Sequence, residues 1–265
     1  MYWVVYTQSI ISDSGMGNEM HRRSILLQLI LLVIVFSILS ACNREQPAAP
    51  VTDNKAAVDV TALTNRVAEL EKQAQRLRDI SAIKRLQRAY GYYVDNEMWD
   101  EVVDLFSDNG TMEIALDGVY RGKEHIRKYL YALSSGRPGL PAGVLNEHYQ
   151  LQPVVDVAKD GRTAKGRWRA LIMSGVWKER ATWGIGPYEN TYVKENGVWK
   201  IKRIHWYETL MVPYEGGWTA ERRDFHNGRF VSDQLPPDAP PTEQYEVWPG
   251  AYLPPYHYKN PITGQ

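Results

Sequence analysis

An α+β fold, with helices on one side of a curved antiparallel sheet, is predicted by three observations on this sequence. Apolar residues recur at helical spacing through the segment that ends at Leu133, and strand-like alternation takes over from Glu147. Asp117-Gly118, Lys159-Asp160-Gly161 and Asn196-Gly197 separate the apolar runs, which is hairpin punctuation. Helices first and a meander of long strands afterwards is the element order of an α+β domain.

The elements follow in order. Asp79 to Tyr93 is a helix, and Asn96-Glu97 marks a turn. Met98 to Phe106 is a second helix with Trp99, Val102, Val103 and Phe106 on one face. Ser107-Asp108-Asn109-Gly110 is a turn, Thr111 to Leu116 a short strand, Lys123 to Leu133 a third helix and Ser134 to Ala142 a loop. Glu147 to Ala158, Thr163 to Ser174, Gly186 to Lys194 and Val198 to Met211 are the long strands. Gly184-x-Gly186 has no helix after it, so it reads as a turn and not as a phosphate loop.

Upstream, Leu63, Val67, Leu70, Ala74 and Leu77 are spaced 4, 3, 4 and 3, a heptad seam. It fits either a coiled coil or an amphipathic helix lying on its own domain. No Gly or Pro interrupts the passage to Ile80, Ile83, Leu86 and Tyr90, so one long helix can run from the seam into the domain.

Composition narrows the function classes. The chain has 265 residues, 44% hydrophobic and 23% charged, which suits a folded domain and not a disordered chain. Lys+Arg and Asp+Glu both number 31, so the basic excess of a nucleic-acid binder is missing. Cys42 is the single cysteine, which rules out an intramolecular disulfide and a cysteine-based metal site. His148, His205, His226 and His257 lack paired ligand spacing, so no metal is expected. Nine Trp and 17 Tyr against four Phe suit a cavity or interface with one wet side.

The N-terminus reads as an address. Ile25 to Ala41 is apolar apart from Gln28, Ser37 and Ser40, and His21, Arg22 and Arg23 precede it. That is the layout of a secretory signal, with an uncleaved membrane anchor as the alternative. Leu39-Ser40-Ala41-Cys42 resembles the bacterial lipobox, which implies lipidation of Cys42 and cleavage before it. Met20 gives the most compact start for such a signal. The expected organisation is a signal over 1–41, a flexible tether over 42–60, a helical stalk over 61–78, the α+β domain over 79–212 and a strap over 213–265. The expected location is the cell envelope, lipid-anchored on the periplasmic side. Asn43 favours the outer membrane in a Gram-negative host.

The domain resembles the SnoaL-like branch of the nuclear transport factor 2-like superfamily. Asp79-Ile80-x-Ala82-Ile83-x-x-Leu86-x-x-x-Tyr90 is followed by Asp95-x-x-x-Trp99-Asp100-x-Val102-x-x-Leu105-Phe106, then Gly122-x-x-x-Ile126. His148 opens a strand, and Asn196-Gly197-x-Trp199-x-Ile201 closes the meander. The resemblance implies a cone-like fold whose curved sheet and three helices enclose a pocket. It implies no single reaction, because the fold carries many. It places a carboxylate at Asp95 and a histidine at His148, a pair suited to proton transfer without a cofactor. Asp95 can instead cap the Met98 helix, and His148 can be an ordinary strand residue. Dehydratases of the family carry a second histidine on the next strand, where this chain reads Leu171-Ile172-Met173-Ser174.

Further candidates for the pocket wall are Tyr90, Tyr92, Trp168, Tyr188 and Asn190. Unbroken alternation from Trp199 and Ile201 adds His205 and Tyr207, and a bulge would reverse that face. The segment Leu235 to Gln265 holds 8 of the 15 prolines, interleaved with Tyr245, Trp248, Tyr252, Tyr256 and Tyr258. Such a chain straps a surface: a second subunit, the pocket mouth or its own sheet. The expected function is binding of a small, largely apolar molecule, with a cofactor-free dehydratase or isomerase as the enzymatic form. The alternative is a non-catalytic binding or scaffolding module of the envelope. The expected partners are a small-molecule ligand and the membrane through Cys42, with room for a homodimer and none for nucleic acid.

Overall fold

A computed structural model describes residues 59–219 and 230–265. The expected signal, Cys42 and residues 43–58 of the expected tether lie outside the described residues, as does His226. Every described element belongs to one unit, Val60–Gln265.

Helix α1 runs unbroken over Val60–Asp95, and the short helix α2 spans Trp99–Asp104. Strands β1 (Phe106–Ile114) and β2 (Val119–Arg121) form a hairpin, followed by helix α3 (Gly122–Leu133). Then come β3 (Val144–Val157), β4 (Thr163–Val176), β5 (Arg180–Glu195), β6 (Val198–Trp206) and β7 (Leu210–Pro213). The sheet order is β2-β1-β6-β5-β4-β3, with β7 paired to β5 off that path. All pairs are antiparallel except β1 with β6.

Several local expectations change. Ser107 to Gly110 is not a free turn but an irregular stretch inside β1, where the register against β6 shifts between Phe106 and Thr111. The last strand is split at Tyr207-Glu208-Thr209 into β6 and β7. Gly184 and Gly186 lie within β5, not in a turn. The reason at Gly186 is crowding: a Cβ there would sit 1.9 Å from the Tyr207 carbonyl oxygen, so only glycine lets β5 pass that corner.

The domain half of α1 buries Asp79, Ile83, Gln87, Tyr90, Gly91 and Val94, one face of a 3.6-residue period. Gly91 sets how near this helix comes to β3. A Cβ there would lie 2.8 Å from Gln150 Cγ and 3.3 Å from the His148 carbonyl oxygen. This close approach carries Asp95, one turn later, to the backbone of His148. At the other end, Asp79 accepts hydrogen bonds from Trp199 Nε1 at 2.9 Å and from Lys194. The helix is therefore fixed at both ends of its buried face.

The C-terminal strap crosses the outer face of its own sheet, which selects one of the three readings open from sequence. Ala239 bridges Val119, Asp238 accepts the Arg121 N–H at 2.7 Å, and Trp248 N–H donates to Thr209 O at 2.8 Å. Farther along, Tyr256 lies under the Arg167 guanidinium at 4.0 Å, and His257 meets Glu189 at 3.0 Å.

Candidate functional site

The concave face of the sheet and the helices enclose a cavity of 440 Å³, a volume in the range of small-molecule sites. Tyr90 and Val94 of α1, Tyr129 of α3, His148 of β3, Tyr188 of β5 and Trp206 of β6 line it. Gln87, on the same buried face of α1 as Tyr90 and Val94, anchors a satisfied polar layer. Gln87 Nε2 donates to Gln150 Oε1 at 2.8 Å, while Gln87 Oε1 accepts from Tyr192 OH at 2.8 Å and Asn190 Nδ2 at 3.1 Å. Trp168 Nε1 donates to Tyr192 OH at 2.9 Å. Asn190 and Trp168 do not line the cavity, and their polar groups are engaged within this layer.

Asp95 and His148 come together. The His148 backbone N–H donates to Asp95 Oδ1 at 2.6 Å, and His148 Nδ1 lies 3.9 Å from the same oxygen. Their side chains retain 13% and 19% exposure. Among the described residues His148 Nδ1 is buried and has no hydrogen-bond partner. Burial raises the Asp95 carboxyl to about 6; the His148 N–H works against that rise and Glu147 adds to it. Burial also pushes the His148 imidazole down to about 4, and the carboxylate 3.9 Å away does not reverse it. At neutral pH the pair is an ionised carboxylate beside a neutral imidazole.

Tyr90 and Tyr188 meet edge to face with ring centroids 6.2 Å apart on the cavity wall. Burial raises both hydroxyls, Tyr188 to about 12, so they act only as neutral donors and acceptors. Tyr92, in contrast, is 71% exposed on the far side of α1 and takes no part in the cavity. It is two positions from Tyr90, and on a helix such neighbours do not share a face.

His205 and Tyr207 also leave the expected wall. Thr191 pairs with Arg203 but Tyr192 pairs with Ile201, so Lys202 is an extra residue and β6 is bulged. Beyond it Ile204 and Trp206 face inward, and Arg203, His205 and Tyr207 face the strap. There His205 stacks on Tyr207 at 3.8 Å, and burial followed by Arg203 depresses its imidazole to about 3. The spacing was legible: the apolar residues Trp199, Ile201, Ile204 and Trp206 are separated by 2, 3 and 2.

The bulge brings in a residue that alternation had hidden. Trp206 lines the cavity, and its Nε1 is buried without a hydrogen-bond partner among the described residues. Glu97, read from sequence as a turn residue, also lines the cavity. It is buried with a φ of 51°, and its Oε2 has no hydrogen-bond partner among the described residues. Burial raises its carboxyl and Arg137 lowers it. Among the described residues no cluster of three His, Cys, Asp or Glu side chains is placed to hold a metal ion.

Comparison with known proteins places this domain. Solved structures similar to it include a candidate scytalone dehydratase from Novosphingobium aromaticivorans, at 22% identity over 66% of this chain and 99% of that one, with a TM-score of 0.48. A hexachlorocyclohexane dehydrochlorinase is 17% identical over 57% of this chain and 98% of that one, with a TM-score of 0.47. A Catenulispora acidiphila protein in complex with S-DNPA is 15% identical over 48% and 91%, with a TM-score of 0.42. Residues 75–205, just under half of the chain, match the model of the SnoaL-like domain, and it is to that domain that this stretch is similar.

Proposed function

We propose that the cavity takes a small, largely apolar molecule bearing one carbonyl or similar oxygen, and that His148 moves a proton on it without a cofactor. One observation carries this reading: an imidazole held neutral by burial stands in the cavity wall, with its Nδ1 3.9 Å from the Asp95 carboxylate. A proton on Nδ1, which faces Asp95, leaves Nε2 with its lone pair. Nε2 takes the proton from the carbon next to the carbonyl, and the C–H electron pair becomes the enolate double bond. The unpartnered Trp206 Nε1–H and the Tyr188 hydroxyl supply donors for the oxygen that gains charge. Return of the proton at another carbon gives an isomer, and departure of a group from the β-carbon gives a lyase. Asp95 holds the imidazole through its charge and touches no substrate.

The test is deuterium uptake at the α-carbon of α-tetralone, followed by NMR in D2O. The wild-type chain catalyses exchange, and His148→Ala slows it by about 10²–10⁴-fold. Asp95 is ionised above about 6 and His148 neutral above about 4, so the competent state accumulates as pH rises through 6. The rate therefore climbs through that pH, and Asp95→Asn removes the climb. Binding of the ketone with no exchange at any pH favours the second reading, a binding module. One contact supports that reading: Asp95 Oδ1 already accepts the His148 backbone N–H.

The same proposal places the protein at the cell envelope through lipidated Cys42, resting on the sequence pattern of residues 21–42. Metabolic labelling with a palmitate analogue, lost in Cys42→Ser, checks it.

A further inference from the structure

The first five turns of α1 bury no side chain against the described residues. From Val60 to Arg78 no residue of the helix is buried, and Val60, Leu63, Val67, Leu70 and Leu77 are 47–70% exposed. These residues, with Ala74, occupy a and d of three heptads: Val60, Val67 and Ala74 at a; Leu63, Leu70 and Leu77 at d. Exposed leucines at this spacing cost free energy in water and are rarely left bare on a helix.

The seam stops where the domain begins. The next a and d positions are Ser81 and Lys84, both polar. At the same point Asp79 becomes buried, bonded to Trp199 and Lys194, and α1 turns a different face to the sheet. One helix thus has two apolar faces in succession. The second is covered by its own domain, and the first extends about 27 Å at ~1.5 Å per residue with no cover among the described residues.

The flanking charges say what covers it. Arg66 is a g position and Glu71 the e position five residues on. In a parallel pair of helices g faces the e′ that follows it, so Arg66 of each copy meets Glu71 of the other. Neither side chain has a hydrogen bond or ion pair with a described residue of its own chain. Val at a with Leu at d is the combination that favours two parallel strands. We infer that residues 60–77 form a parallel two-stranded coiled coil with a second copy of this chain, with both domains at its C-terminal end.

Cysteine trapping on the full chain tests this, with Cys42→Ser so that the introduced cysteine is the only one. Leu63→Cys and Leu77→Cys, at opposite ends of the seam, each form a disulfide-linked dimer under mild oxidation, and Arg76→Cys on the outer face does not. An antiparallel pair would link neither end, and a monomer, a membrane-lying helix or a different protein partner would give no self-linked dimer; each of these overturns the proposal. Charge reversal is the second arm. Arg66→Glu or Glu71→Arg alone weakens the dimer about tenfold, which corresponds to about 1.4 kcal/mol, and the double variant restores it. Failure of the double variant to restore the dimer contradicts the g-to-e′ pairing. Deuterium uptake by the ketone, unchanged in all of these, shows that the domain is intact.

Discussion

The two faces of the sheet use buried polar groups differently. On the outer face the buried Glu113 is fully engaged. Glu113, 1% exposed, accepts the Thr242 N–H at 2.6 Å, the Thr242 hydroxyl at 2.9 Å and Arg203 Nη2 at 3.1 Å. On the inner face His148 Nδ1, Trp206 Nε1 and Glu97 Oε2 are buried around an open volume without partners among the described residues. A buried polar atom left unpaired costs about 1–3 kcal/mol, a cost that a ligand bonded to it in the cavity would offset. The outer face holds the strap to the sheet, and the inner face holds polar groups ready for a ligand.

Breaking the outer face gives the largest effect on stability. Glu113→Ala strands Arg203 and two Thr242 donors, and urea unfolding registers a loss of about 3–5 kcal/mol. Limited proteolysis then cuts the strap first. On the inner face the opposite holds. Trp206→Phe keeps a ring in place and removes a donor that has no partner among the described residues. It leaves stability within about 1 kcal/mol of wild type and weakens α-tetralone binding about tenfold. A large stability loss in Trp206→Phe would erase the contrast between the faces. The smallest effect belongs to Tyr92→Ser, outside both faces, which shifts stability by no more than about 0.5 kcal/mol and leaves binding unchanged.

The contrast also explains what could be read from sequence. Element order and apolar periodicity carry the fold, because each strand and helix buries one face and repeats its pattern. The Asp95 and His148 positions came with the resemblance to the SnoaL-like family, and geometry adds that Gly91 brings them together. Unbroken alternation puts His205 and Tyr207 on the cavity face, and the bulge in β6 is the condition that reverses it, because a single extra residue inverts every side chain beyond it. Trp168 and Asn190 have the right chemistry for a wall, but their hydrogen bonds to the Gln87 layer depend on pairings between β4, β5 and α1 that are far apart in sequence. The strap's course over its own sheet rests on single contacts, such as Asp238 on the Arg121 N–H, for which a Pro-rich sequence offers no periodic signal.

The central claim is that the cavity wall holds a neutral imidazole free to accept a proton. Nitrogen-15 NMR of the histidine rings through a pH titration tests it most directly. The account predicts that His148 stays neutral from pH 8 to below 5, titrates at about 4, and carries its proton on the nitrogen facing Asp95. Titration near the ordinary histidine value of about 6.5, with free exchange between tautomers, would contradict it.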